Sequence, residues 1–139
     1  MKKTILIFAV IMGVFTHFGY SQCGGETIKL HKPTSIGMVI YSNDVETVWN
    51  ALRLANFSVA EGDTVSIFLL GKGVELDNLS KSDKNIKEQT DIFLNSNGKM
   101  LGCGTCLQSR NNASPQVCKM SSMGDLYEIV RKNKIVLTF

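Results

Sequence analysis

Gly37–Leu70 reads GMVIYSNDVETVWNALRLANFSVAEGDTVSIFLL, and it sets the fold class. The run Thr34–Tyr41, TSIGMVIY, is apolar and uncharged, as a strand buried on both faces must be. Ser42-Asn43-Asp44 opens a helix, with Asn43 and Glu46 spaced as a capping box. Val45, Val48, Trp49, Leu52, Ala55 and Val59 then recur at helical spacing, and Gly62-Asp63 ends the helix. Thr64–Leu70 is a second β-branched, almost uncharged strand. A buried strand, an amphipathic helix and another buried strand make a βαβ unit, hence a parallel sheet covered on both faces.

The alternation continues outward. Gly71-Lys72-Gly73 is a tight turn, and residues 75–84 are polar without a period, a loop. Ile86, Thr90, Phe93 and Leu94 mark a second helix closed by Asn97-Gly98. Lys99–Gly102 is a short third strand, Thr105–Arg110 a short helix, Asn111–Pro115 a turn-rich break and Gln116–Met120 a brief fourth strand. Ser122 and Asp125 form a second capping box. Met123, Leu126, Tyr127 and Val130 give the inward face of the helix that follows, with Arg131 and Lys132 in its last turn. Lys134–Phe139 is the final strand. Five such units predict a flavodoxin-like three-layer α/β sandwich on a mostly parallel five-stranded sheet. The simplest doubly wound order is 2-1-3-4-5, with its crevice at the carboxyl ends of the first and third strands.

The amino terminus reads differently. Lys2 and Lys3 precede the apolar run Ile5–Phe15, which is too short to span a bilayer and fits the core of a signal peptide. Gly19 and Ser21 are small residues suited to cleavage after Ser21. The expected organisation is therefore a signal peptide at 1–21, an amino-terminal arm at 22–35 and an α/β domain at 36–139. The protein is expected to be exported, periplasmic or secreted, without stable membrane insertion after cleavage. A lipid anchor on Cys23 is less favoured because Gln22 is a poor residue before a lipidated cysteine. Fifteen basic against twelve acidic residues leave only a small positive charge, and no basic cluster is interleaved with aromatics, which excludes a nucleic-acid partner.

Chemistry concentrates at Cys103-Gly104-Thr105-Cys106, where the third strand meets a helix start. Helix-end amides favour a thiolate, so Cys103 is a candidate nucleophile or persulfide carrier, and Gly104 permits close approach of a partner. Cys106 or Cys118 is the candidate resolving thiol. A thioredoxin-like reading fails because no WCxPC motif surrounds the pair. Zinc is the rival use: Cys103, Cys106 and Cys118 with Cys23 or His31 number four ligands, yet a structural site ordinarily shows two tight pairs. Gly71-Lys72-Gly73 lacks the remainder of a phosphate loop. Asp44 and Glu46 suit helix capping better than acid–base catalysis. The predicted crevice is lined by Asn43, Asp44, Gly71, Gly73, Gly104 and Arg110, the arginine being placed to add positive potential.

These marks resemble the DsrE/DsrF-like family of small sulfur-relay proteins. The resemblance rests on Gly37–Leu76, then GKMLGCGTCLQSR at Gly98–Arg110, then SSMGDLYEIVRKNKIVLTF at Ser121–Phe139. It implies a five-stranded flavodoxin-like fold, trimeric or hexameric assembly, and sulfur carried as a persulfide on a strand-end cysteine, which maps to Cys103. It further implies protein thiols as sulfur donors or acceptors, and no cofactor. The alternative from another class is a non-enzymatic oligomeric binding module whose cysteines hold structural zinc or a disulfide.

Overall fold

A computed structural model describes residues 32–96 and 98–139. The expected signal peptide, most of the arm, Cys23, His31 and Asn97 lie outside the described residues. The strands are β1 (Ser35–Ile40), β2 (Thr64–Leu69), β3 (Lys99–Cys103), β4 (Lys119–Ser121) and β5 (Ile135–Thr138). The helices are α1 (Val45–Ala60), α2 (Leu76–Ser82), α3 (Lys84–Asn95), α4 (Gly104–Gln108) and α5 (Met123–Lys132), with a 3₁₀ turn at Gly71–Glu75. Among the described residues no helix is long and apolar enough to cross a membrane.

All pairings are parallel and the strand order is β4-β3-β2-β1-β5. This is the expected three-layer sandwich, but it corrects the expected order 2-1-3-4-5. The physical reason lies in which helices share a face. Strands β1 to β4 advance in one direction, so right-handed crossovers put α1, α3 and α4 on one side. The Asn56 side-chain amide of α1 donates to the Gln89 carbonyl oxygen (3.0 Å) and to its side-chain oxygen (2.9 Å) on α3. An order with β3 beside β1 would have sent these two helices to opposite faces. After β4 the chain returns to the far edge, and α5 crosses the other side of the sheet.

The core follows from this arrangement. Met38, Ile40, Ile67 and Leu69 point under α1–α4 and are fully buried. On the other face α5 lies alone, and Gly37 admits it: a Cβ there would stand 2.7 Å from Ile129 Cγ2. Only Ile129 is buried and Leu126 half-buried on this helix. Met123, Tyr127 and Val130, expected to face inward, are exposed. A helix with no neighbour on its layer presents one narrow line to the sheet, and that line runs through Leu126, Ile129 and Asn133.

Three local differences have identifiable causes. The α1 cap is Asp44, whose carboxylate accepts from the Thr47 N–H (2.9 Å) and hydroxyl (2.7 Å); Asn43 is used elsewhere. Residues 76–82 are helical although they read as a loop, because the inward face of α2 mixes Leu76 with buried Asp77 and Ser80 and so hides its period. β4 begins later than Gln116, since the N–H groups of Gln116 and Val117 are taken by Asp77. The capping box at Ser122 and Asp125 forms as expected.

Gly73 passes directly over β1: a Cβ would lie 2.0 Å from the Ile40 carbonyl oxygen, a backbone atom with no room to yield. At Gly37 the obstructing atom is the Ile129 Cγ2 methyl, stiff at χ1 but carried by the solitary helix α5, whose narrow contact with the sheet lets it shift as a unit. Gly73→Ala should therefore cost about 3 kcal/mol and Gly37→Ala about 1 kcal/mol. Urea denaturation of both variants measures the difference; equal midpoints would contradict the packing described.

Candidate functional site

Cys103 closes β3 and serves as the N-cap residue of α4. It is only 6% exposed, so its sulfur is not the open strand-end thiol that the sequence suggested. Cys106 lies one helical turn on and is partly exposed. The two sulfurs are neighbours. Burial pushes the Cys106 thiol up, and its hydrogen bond and charge interaction with Cys103 push it further; the Gly71 N–H and the Arg110 charge act in the opposite direction. Two thiolates side by side repel, which adds to the effect of burial in disfavouring the ionised form of Cys106.

The strand order relocates the crevice. The connection leaving β3 turns to the α4 side and that leaving β4 turns to the α5 side, so the switch point falls between β3 and β4. Cys103 pairs in register with Ser121 at this point. Gly104 makes the junction possible: a Cβ there would meet the Ser121 carbonyl oxygen at 3.2 Å and the Met120 side chain at 3.3 Å. Gly104 thus admits the neighbouring strand.

Around the thiols, a polar network joins three loops. Glu75 accepts from Arg110 Nε (2.8 Å) and from the Asn43 amide (2.9 Å). These two donors, Arg110 first, hold the Glu75 carboxyl below its ordinary value. Arg110 also donates to the Cys106 carbonyl oxygen at 3.2 Å. Gly71 adopts φ +54°, a left-handed conformation that favours glycine, and its N–H faces the Cys106 sulfur. Of the residues expected to line the crevice, Asn43, Gly71, Gly73, Gly104 and Arg110 gather at this edge of the sheet; Asp44 is occupied in capping α1. Glu75 and Asp77 were missed, because both fall in the stretch read as a loop.

Cys118 stands apart. Its sulfur would be 2.6 Å from a Cβ on Gly102, with Leu107 Cδ1 3.1 Å from the same point. Side chains alternate along a strand, so Gly102 and Cys103 face opposite sides of β3. The Cys118 thiol is pushed up to about 11, first by burial and then by the Asp77 charge. Among the described residues no three metal-ligating side chains converge, so these three cysteines do not assemble the zinc site considered from sequence. A cleft of about 240 Å³ opens beside α2, lined by Glu75, Asp77, Lys81, Arg110, Asn112 and Gln116 among others; no cysteine lines it.

The family model for DsrE/DsrF-like proteins matches residues 35–139. The chain belongs to the DsrE/DsrF-like family. It is 32% identical over 103 residues to the uncharacterized protein MJ0989 of Methanocaldococcus jannaschii, covering 68% of this chain and 88% of that protein. Among solved structures it resembles the ychN protein from E. coli, with TM-score 0.66, 19% identity, and coverage of 78% of this chain and 100% of that one. It also resembles BT1422, a conserved protein of unknown function from Bacteroides thetaiotaomicron, with TM-score 0.65, 20% identity, and coverage of 76% and 95%. At these identities the two structures establish the fold.

The raised Cys118 value has a measurable consequence. A thiol that keeps its proton more tightly when folded contributes stability that is intact below its unfolded value and lost as pH rises toward the folded one. Stability should therefore fall between the ordinary 9.0 and about 11. Cys118→Ala should flatten that fall in urea midpoints measured against pH; parallel profiles would refute the assignment.

Proposed function

We propose that this protein carries sulfane sulfur on the Cys103–Cys106 pair, as a persulfide relay of the DsrE type. The observation that carries the reading is the placement of Cys103 at the carboxyl end of β3 and of Cys106 one turn into α4, near enough to influence each other, beside the Gly71 N–H and the Arg110 guanidinium. Burial and the neighbouring Cys103 both favour the protonated form of Cys106. The Cys103 thiolate attacks the outer sulfur of a donor such as thiosulfate, sulfite leaves, and a Cys103 persulfide remains. Cys106 then gives up its proton and attacks the inner sulfur. The Cys103–Cys106 disulfide forms and hydrosulfide departs, and an external dithiol restores the two thiols. The low exposure of Cys103 favours a small inorganic donor over a protein persulfide for the loading step. Half-exposed Cys106 is the sulfur that a partner's thiol meets.

Mass spectrometry of intact protein after thiosulfate or polysulfide treatment tests this. Wild type should gain one sulfur atom transiently, Cys106→Ser should retain it, and Cys103→Ser should gain none. Equal loading in wild type and Cys103→Ser would remove Cys103 from the mechanism.

Two further expectations belong to this reading. Residues 1–21 support export, and a mature chain beginning at Gln22 would appear on amino-terminal sequencing of the secreted protein. The exposed stripe of Met123, Tyr127 and Val130 on α5, with exposed Val136 on the same face of β5, supports assembly into a trimer or hexamer. Light scattering should find such an assembly in wild type and a smaller species in Tyr127→Glu; a monomeric wild type would oppose it.

A further inference from the structure

Asp77 is a buried carboxylate that the sulfur chemistry does not use. It is 4% exposed, in the first turn of α2, beside Leu76 at 1%. Three donors converge on its two oxygens: the Asn112 amide at 2.6 Å, the Gln116 N–H at 3.1 and 3.2 Å, and the Val117 N–H at 3.0 Å. Gln116 and Val117 immediately precede Cys118. The carboxylate thereby fastens the loop after α4 to a helix that is rooted in the core.

We propose that Asp77 is a positioning residue for Cys118: by tying down residues 112–117 it seats the third thiol in the notch over Gly102 and keeps it out of exchange with Cys103 and Cys106. This rests on the reading of those two as the reacting pair. A pair that cycles between thiols, persulfide and disulfide is vulnerable to any third sulfur within reach, because a Cys106–Cys118 bond would strand Cys103. Two features hold Cys118 away. Gly102 leaves the space its sulfur fills, and Leu107, fully buried, stands beside it on α4. Asp77 supplies the fastening. Aspartate suits the position because an ionised carboxylate offers only acceptors, whereas an amide would turn a donor toward the N–H groups.

Iodoacetamide labelling of the folded protein, followed residue by residue with peptide mass spectrometry, tests the clamp. In wild type Cys118 should label more slowly than Cys106. In Asp77→Asn its rate should rise about tenfold or more, because the bonds lost are to a buried charged acceptor. Asn112→Ala removes one donor and leaves the carboxylate in place; it should raise the rate several-fold, and it decides the question alone if Asp77→Asn does not fold. Cys103 and Cys106 should label at wild-type rates in Asn112→Ala. An unchanged Cys118 rate, an equal rise at all three cysteines, or a wild-type Cys118 as fast as Cys106 would each overturn the proposal. The rates report the clamp whether or not the pair accepts sulfur, so failure of sulfur loading is a separate result.

Discussion

The constraint on which the rest depends is the reversal of the chain after β4. Four strands are laid down in one direction, and the fifth returns to pair with β1 at the far side. Because parallel crossovers are right-handed, the one-way advance puts α1, α3 and α4 on one face, and the reversal leaves α5 solitary on the other. It also places the switch point between β3 and β4, where Cys103 and Ser121 stand in register. The site follows from topology before any side chain is considered.

Much of the fold was legible because the buried strands are nearly uncharged and the helix between β1 and β2 has a clean period. The order of strands was not legible. Hydrophobic period says that a strand is buried, but it is silent on which neighbour buries it. Order shows itself only in long-range bonds such as Asn56 to Gln89, between residues that no local motif singles out. The α5 face was misread for a related reason. Met123, Tyr127 and Val130 are apolar and helically spaced, yet a lone helix on its layer needs only the line through Leu126 and Ile129 to meet the sheet. α2 was missed because its buried face includes a carboxylate, which periodicity scores as surface.

The site was legible in its sulfur and obscure in its support. CGTC at a strand end singles out Cys103 and Cys106, and the structure brings them together. Their surroundings depend on Glu75, which holds Arg110 and Asn43, and on Asp77, which holds the segment before Cys118. Both acidic residues bond to partners more than thirty positions away, so no local motif announces them. Exposure was also beyond the sequence: the end of a strand is open in general, but here Cys103, in register with Ser121 of β4, is buried. That burial gives the pair an inner sulfur and an outer one.

The most direct measurement is the disulfide map of the purified protein after mild oxidation with diamide, read by peptide mass spectrometry under non-reducing conditions. A reacting pair at the end of β3 should give one intramolecular bond, Cys103 to Cys106, with Cys118 recovered as a free thiol. A bond joining Cys118 to either of the others, at the expense of that pairing, would contradict it.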